Sequence, residues 1–193
     1  MLRVMLLAVA LLLVAVSVPA AALSKDEGIY SHPPPEGVEI GDIVFGHSGG
    51  LVDLLLPGFW THVGMAGYDP ERGWLVAEAL PGEGVVLTPL PEFLERYDTV
   101  ALAHVAAPLE VRMAAAGFAV QQLGKPYDYN YLWKEVYGPS YYCSELAWAA
   151  YMATGGPDLD ANPGWSWAYG YAVAPQEVYD DADTVVYYLD AAG

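Results

Sequence analysis

Between residues 41 and 105 the chain runs in short apolar bursts whose side chains alternate between hydrophobic and polar or small, the period-two pattern of strands with a covered face. The bursts "GDIVFGH" (41–47), "THVGMAGY" (61–68), "WLVAEAL" (74–80), "GVVLTPL" (84–90) and "TVALAHV" (99–105) predict five strands. An apolar connection, "SGGLVDLLLPGFW", joins the first two. "DPERG" (69–73) is a turn, with Pro70 at its second position and Gly73 at its end, and "PEFLERY" has the make-up of a short helix.

From residue 109 the pattern changes. "LEVRMAAAGFAVQQLG" (109–124) has helical composition and stops at Gly124, ahead of Pro126. An aromatic loop over 127–142 leads to a second helix from about Ser140 to Thr154, ended by Gly155, Gly156 and Pro157. The tail holds a loop rich in Gly, Pro and Trp, one helical turn at "PQEVYDD" and a last strand, "TVVYYL". Neither an internal repeat nor a dividing linker is present. Consecutive strands followed by helices predict an α+β fold with an antiparallel sheet.

The start of the chain is of another kind. Arg3 precedes an unbroken apolar run from Val4 to Val16 and then "SVPAAA", which predicts a secretory signal peptide over 1–22, cut near Ala22. The run is short for a membrane span, and an uncleaved N-terminal anchor is the alternative. Residues 23–40 then form an extended leader, because Pro33 to Pro35 forbid a helix, and 41–193 form one domain. The chain is expected outside the cytoplasm: secreted, periplasmic or on the cell surface.

Charge narrows the partners. The formal net charge is −17, and −18 once Arg3 is removed with the signal peptide. Such a surface repels phosphate backbones and anionic headgroups, so no nucleic acid is expected, and membrane contact only through an uncleaved N-terminus. With 55% hydrophobic residues the acidity decorates a packed domain and not a disordered tail.

An exported domain is free to use disulfides, but this chain has one cysteine, Cys143, and so cannot form one internally. If Ser140 caps the second helix, Cys143 lies in its first turn, where unpaired N–H groups and the helix dipole favour an anion. Leu146, Ala149, Ala150 and Ala153 continue its face, so the sulfur points into the body of the protein. A thiolate nucleophile and a small buried hydrophobe both fit these facts.

A nucleophile needs a base. His32 sits in the proline-rich leader, His47 at a strand end and His104 in mid-strand. His62 opens a strand whose next same-face positions are Gly64 and Ala66, leaving room beside it. The turn at 69–73 folds that strand against "WLVAEAL", whose one charged residue is Glu78. A register in which paired numbers total about 140 or 142 puts His62 and Glu78 on one face, and an odd register separates them. Thiol, imidazole and carboxylate together would make the Cys–His–polar set of a papain-like hydrolase, with the Cys143 N–H available to an oxyanion.

These pieces resemble a known family. "GDIVF" and "HVGMA" are similar to strand motifs of NlpC-type cysteine peptidases, in which a "CSGL"-like cysteine helix comes first. Here "YYCSELAWA" follows the strands, and "LGKPYDYNYLW" precedes it, an order similar to the circularly permuted YiiX/YebB-like proteins, related in topology to lecithin:retinol acyltransferases. The resemblance spans 41 to about 154 and implies a permuted papain-like fold, with Cys143 as nucleophile, His62 as base and Glu78 as third residue. The 48–60 connection and the tail beyond 155 have no counterpart in it. It implies a cysteine hydrolase working through a thioester on a small-molecule, peptide or lipid acyl substrate, cell-wall peptides being what the non-permuted relatives suggest. An acyltransferase or lipid amide or ester hydrolase with the same triad is the alternative, and a non-catalytic binding protein a third.

Tyr142, Lys125, Asp128 and Trp60 are candidates for the substrate groove, a loop-fixing role being open for Lys125 and Asp128. Residues 127–171 hold nine of the fifteen tyrosines and four of the six tryptophans, a band that either lines a groove or packs the loops onto the core. No cofactor is expected. A metal set would have to be drawn from Cys143, His62, Glu78 and His104, which lack the compact spacing of a zinc site, and none is expected.

Overall fold

The computed structural model describes residues 29–49 and 56–192. The predicted signal peptide, the leader as far as residue 28 and residues 50–55 of the apolar connection lie outside the described residues. No helix among the described residues is long and apolar enough to cross a membrane.

The five predicted strands form as β1 (Ile43–His47), β2 (His62–Asp69), β3 (Gly73–Leu80), β4 (Gly84–Pro89) and β5 (Thr99–Val105), and the last as β6 (Thr184–Ala191). They make one antiparallel sheet in the order β4-β3-β2-β1-β5-β6. The short helix after β4 is α1 (Leu90–Leu94), followed by α2 (Leu109–Gln121), α3 (Cys143–Ala153) and α4 (Pro175–Asp180). The fold is α+β, as the order of elements implies.

Period-two alternation sorts the strands onto two cores. Ile43, Phe45, Val63, Met65, Ala77 and Ala79 face α2 and α3. Their neighbours Val44, Ala66 and Val76 face Phe93, Leu94 and Tyr97, carried by α1 and the turn after it. The open space predicted beside His62 is therefore filled by α1, while the cysteine helix lies on the opposite face. The backbone at Gly46 makes this possible: a Cβ there would stand 2.4 Å from the Tyr97 ring.

The cysteine helix starts later than the sequence pattern suggests. Tyr142, not Ser140, occupies the N-cap, and Cys143 is the first helical residue. The cap works through Glu145, whose Oε2 accepts the Tyr142 N–H at 3.2 Å while its Oε1 accepts the Glu135 N–H at 2.7 Å. Every residue from Cys143 to Tyr151 is buried, so α3 is a central helix and not an amphipathic one. The sheet covers one side, α2 another, and Leu159, Val173 and Val178 of the tail a third.

Candidate active site

The register of β2 on β3 decides where the imidazole and the carboxylate fall. Met65 pairs with Ala77 and Ala66 with Val76, so paired numbers total 142 and His62 lies diagonal to Glu78 on one face. His62 Nε2 donates to Glu78 Oε2 at 2.7 Å, and the carboxylate is fully buried. That bond commits Nε2 and leaves Nδ1 for the sulfur.

Cys143 reaches His62 from the start of α3, with the hydrogen bond between thiol and imidazole joined by the Val63 and Ser144 backbone N–H groups. Burial works against ionising the thiol, but the neighbouring imidazole and these hydrogen bonds outweigh it and hold Cys143 below the ordinary thiol range. Burial likewise opposes protonation of His62, yet the sulfur and Glu78 raise it to about 9. Glu78 stays below the ordinary carboxylate range despite burial, because His62, Arg96 and Thr88 all favour its charged form. A thiolate beside an imidazolium, oriented by a buried carboxylate, is equipped for nucleophilic attack on a carbonyl.

All four histidines have a carboxylate partner: His32 has Asp190, His47 has Asp98, His104 has Asp42 and His62 has Glu78. A histidine–acid pair alone therefore does not select the base. What distinguishes His62 is the thiol on its other side. Asp42, just ahead of β1, accepts the Glu39 N–H at 2.8 Å, and it also holds His104 and the Tyr187 hydroxyl.

Cys143 and His62 open on a cavity of about 840 Å³ with a largely apolar lining. Tyr142 lines it, as does much of the aromatic band, including Tyr127, Tyr131 and Trp165. Two loops build this wall and are tied together: Trp133 stacks on Tyr171, the Tyr171 N–H donates to Leu132 O at 3.2 Å, and Lys134 pairs with Asp160.

Trp60, Lys125 and Asp128, expected at the groove, do not line it. Trp60 is buried between Phe45 and Tyr179, as its apolar surface favours. Lys125 donates to Gly138 O at 2.7 Å over the Tyr141 ring, and Asp128 accepts the Asn130 N–H at 2.7 Å in a side-chain turn, so both fix the loop. Sequence reasoning missed Thr88 and Arg96, the other partners of Glu78. Thr88 was within reach of a register argument, since Val76 pairs with Thr88 and so places it diagonal to Glu78 from β4. Arg96 follows α1 and carries no such signal.

Residues 37–187 match the model of a family described as permuted papain-like amidase enzymes, the YaeF/YiiX or C92 family. The chain belongs to that family. As a C92 member it is a cysteine-dependent hydrolase of the amidase type, with the strands ahead of the cysteine helix as permutation requires. A solved structure described as the metalloprotein YiiX from Escherichia coli O157:H7 is similar to it, with a TM-score of 0.63 and 22% identity, over 79% of this chain and 98% of that one. No curated protein matches the chain. Among the described residues no group of three or more His, Cys, Asp or Glu is placed to hold a metal ion.

Proposed function

We propose that this C92 member is an exported thiol amidase in which Cys143 attacks the amide carbonyl, His62 carries the proton and Glu78 orients the imidazole. The observation that carries the reading is the His62–Glu78 hydrogen bond with Cys143 acting on the same imidazole, where thiol and imidazole both open on a largely apolar cavity. The sulfur lone pair forms the C–S bond, and the imidazolium passes its proton to the leaving amine as the C–N bond breaks. Water then adds to the thioester with His62 as base, releasing a carboxylate and the thiol. The Cys143 N–H, at the first helical position and so without an acceptor within the helix, supports the oxyanion. Export rests on the apolar run and small residues of the first 22 positions.

The cavity favours an uncharged acyl group over a carboxylate-rich cell-wall peptide. The one arginine among its described lining residues, Arg96, is bonded to Glu78, and Glu83 adds a negative charge. The same lining supports the second reading, hydrolysis or transfer of a lipid acyl group, in which only the acceptor differs. Mass spectrometry after incubation with N-acyl amides tests the common step: an acyl mass is expected on residue 143, and Cys143→Ala is expected to abolish turnover. Undiminished hydrolysis by Cys143→Ala would refute it.

A further inference from the structure

The far side of Glu78 is occupied by a group that the reaction above does not use. Glu78 Oε1 accepts the Thr88 hydroxyl at 2.5 Å and also the guanidinium of Arg96, while Oε2 takes the imidazole. Arg96 is itself buried, with its guanidinium carbon 5.0 and 5.5 Å from the ring centres of Phe93 and Tyr97. Those two rings also flank His62, each 5.7 Å from its centre. One short segment, Phe93 to Tyr97, thus walls the base and supplies the counter-ion of its carboxylate. In a chain with 7 basic and 24 acidic residues, one of the few cations has been committed to the interior.

From the sulfur outward the buried charges alternate: thiolate, imidazolium, carboxylate, guanidinium. Their sum is zero, which a water-poor site tolerates. Without the guanidinium the set would carry one net negative charge, and burial would relieve it by placing a proton on the sulfur or on Glu78. We propose that Arg96 is a positioning residue that, acting through Glu78, keeps the Cys143–His62 pair in its ionised form. The other groups around this set are Thr88 from β4, Tyr97 and Glu92 beside Arg96, and Tyr127, Tyr131 and Tyr142 facing Cys143. None of them is a cation that would replace it.

The inference rests on the proposed Cys143–His62–Glu78 triad, and alkylation of Cys143 by iodoacetamide as a function of pH separates the two, because it reads the pair without substrate. Arg96→Gln is expected to move the acid limb of the alkylation rate up by about one pH unit, an approximately tenfold slowing near the limb, while Arg96→Lys leaves it in place. A purely structural arginine would alter melting and not the limb. An Arg96→Gln protein with a cooperative melt and the limb of the parent would overturn the proposal. If Arg96→Gln does not fold, Arg96→Met, which keeps the apolar stem against Phe93 and Tyr97 without the charge, takes its place: a limb moved up supports the role of the charge, and the parent's limb in a folded protein refutes it. His62→Ala is the control on the triad. If it leaves the profile unchanged the triad reading fails, whereas a profile that responds to His62 and not to Arg96 defeats only this inference.

Discussion

Cys143 holds its proton less tightly than an ordinary thiol although it is buried, and the cause is local: an imidazole kept charged by Glu78, with two backbone N–H groups aimed at the sulfur. The sign of the pH dependence follows. A depressed thiol pKa means that thiolate persists as pH falls below the usual thiol range of about 8.5, so alkylation and the acylation step continue below that range. The upper limit is set by His62, which at about 9 gives up the proton that the leaving amine needs. Amide hydrolysis is therefore expected to fall above about pH 9 while alkylation, which needs only the thiolate, does not. In His62→Ala the cation is gone and only the two backbone N–H groups oppose burial, so the alkylation limb should move to higher pH. Rates across pH for the parent and the variant check both statements, and identical alkylation profiles would contradict them. At this scale the sequence was legible where chemistry is sparse: one cysteine, and one charged residue in an apolar strand. It was illegible where a side chain has two honest uses. Lys125 and Asp128 carry charges suited to a groove, yet the loop's own backbone supplies partners nearer than any substrate.

At the level of elements, the start of α3 is where local sequence and tertiary structure compete. Ser140 is the better capping residue by type, but the chain caps with Glu145 reaching back to Tyr142, because the same carboxylate also secures Glu135 in the preceding loop. A signal read three residues back, from Glu145 to the cap at Tyr142, would have found the true start. Glu145→Ala removes both acceptors and is expected to cost about 1–2 kcal/mol, lowering the melting temperature by a few degrees. It should also speed proteolysis between residues 127 and 137, since that loop loses its tie to the helix. Limited digestion of parent and variant measures this, and an unchanged loop with an unchanged melt would show the cap to be idle. The strands were legible throughout, since alternation and turn residues act within a few positions. Only parity of register joins His62 to Glu78, and the five-residue turn "DPERG" fixes it through the Asp69–Gly73 pair. The face on which each helix packs had no comparable local sign: both faces of β2 are small or apolar, and a close approach at Gly46, visible only in three dimensions, gives one of them to Tyr97.

Across the whole molecule a strongly acidic surface surrounds a nearly uncharged reaction chamber. Of the Asp, Glu, Lys and Arg residues only Glu83 and Arg96 are among the chamber's described lining, which is otherwise walled largely by aromatics from two loops, and residues 161–175 carry no charge at all. The aromatic band could be read from sequence, but not its use, since packing on the core and lining a cavity demand the same residues. Trp60 took the first course and Tyr131 and Trp165 the second. The chamber's size and lining make a quantitative demand on the substrate. Each methylene that moves from water to an apolar wall contributes about 0.8 kcal/mol, or roughly a fourfold gain in association, until the space is filled. In a series of N-acyl anilides of increasing chain length, kcat/KM is expected to climb by a factor of this order per methylene and then level off. A carboxylate at the far end of the acyl chain should cancel the gain, because it would be buried without a cation and repelled by the surface on approach. Added salt would restore part of the approach rate and none of the burial, so the carboxylated substrate should remain poor at high ionic strength. A flat dependence on chain length, or a preference for the carboxylated series, would mean that the acyl group does not enter this chamber and that the peptide reading of the substrate is the better one.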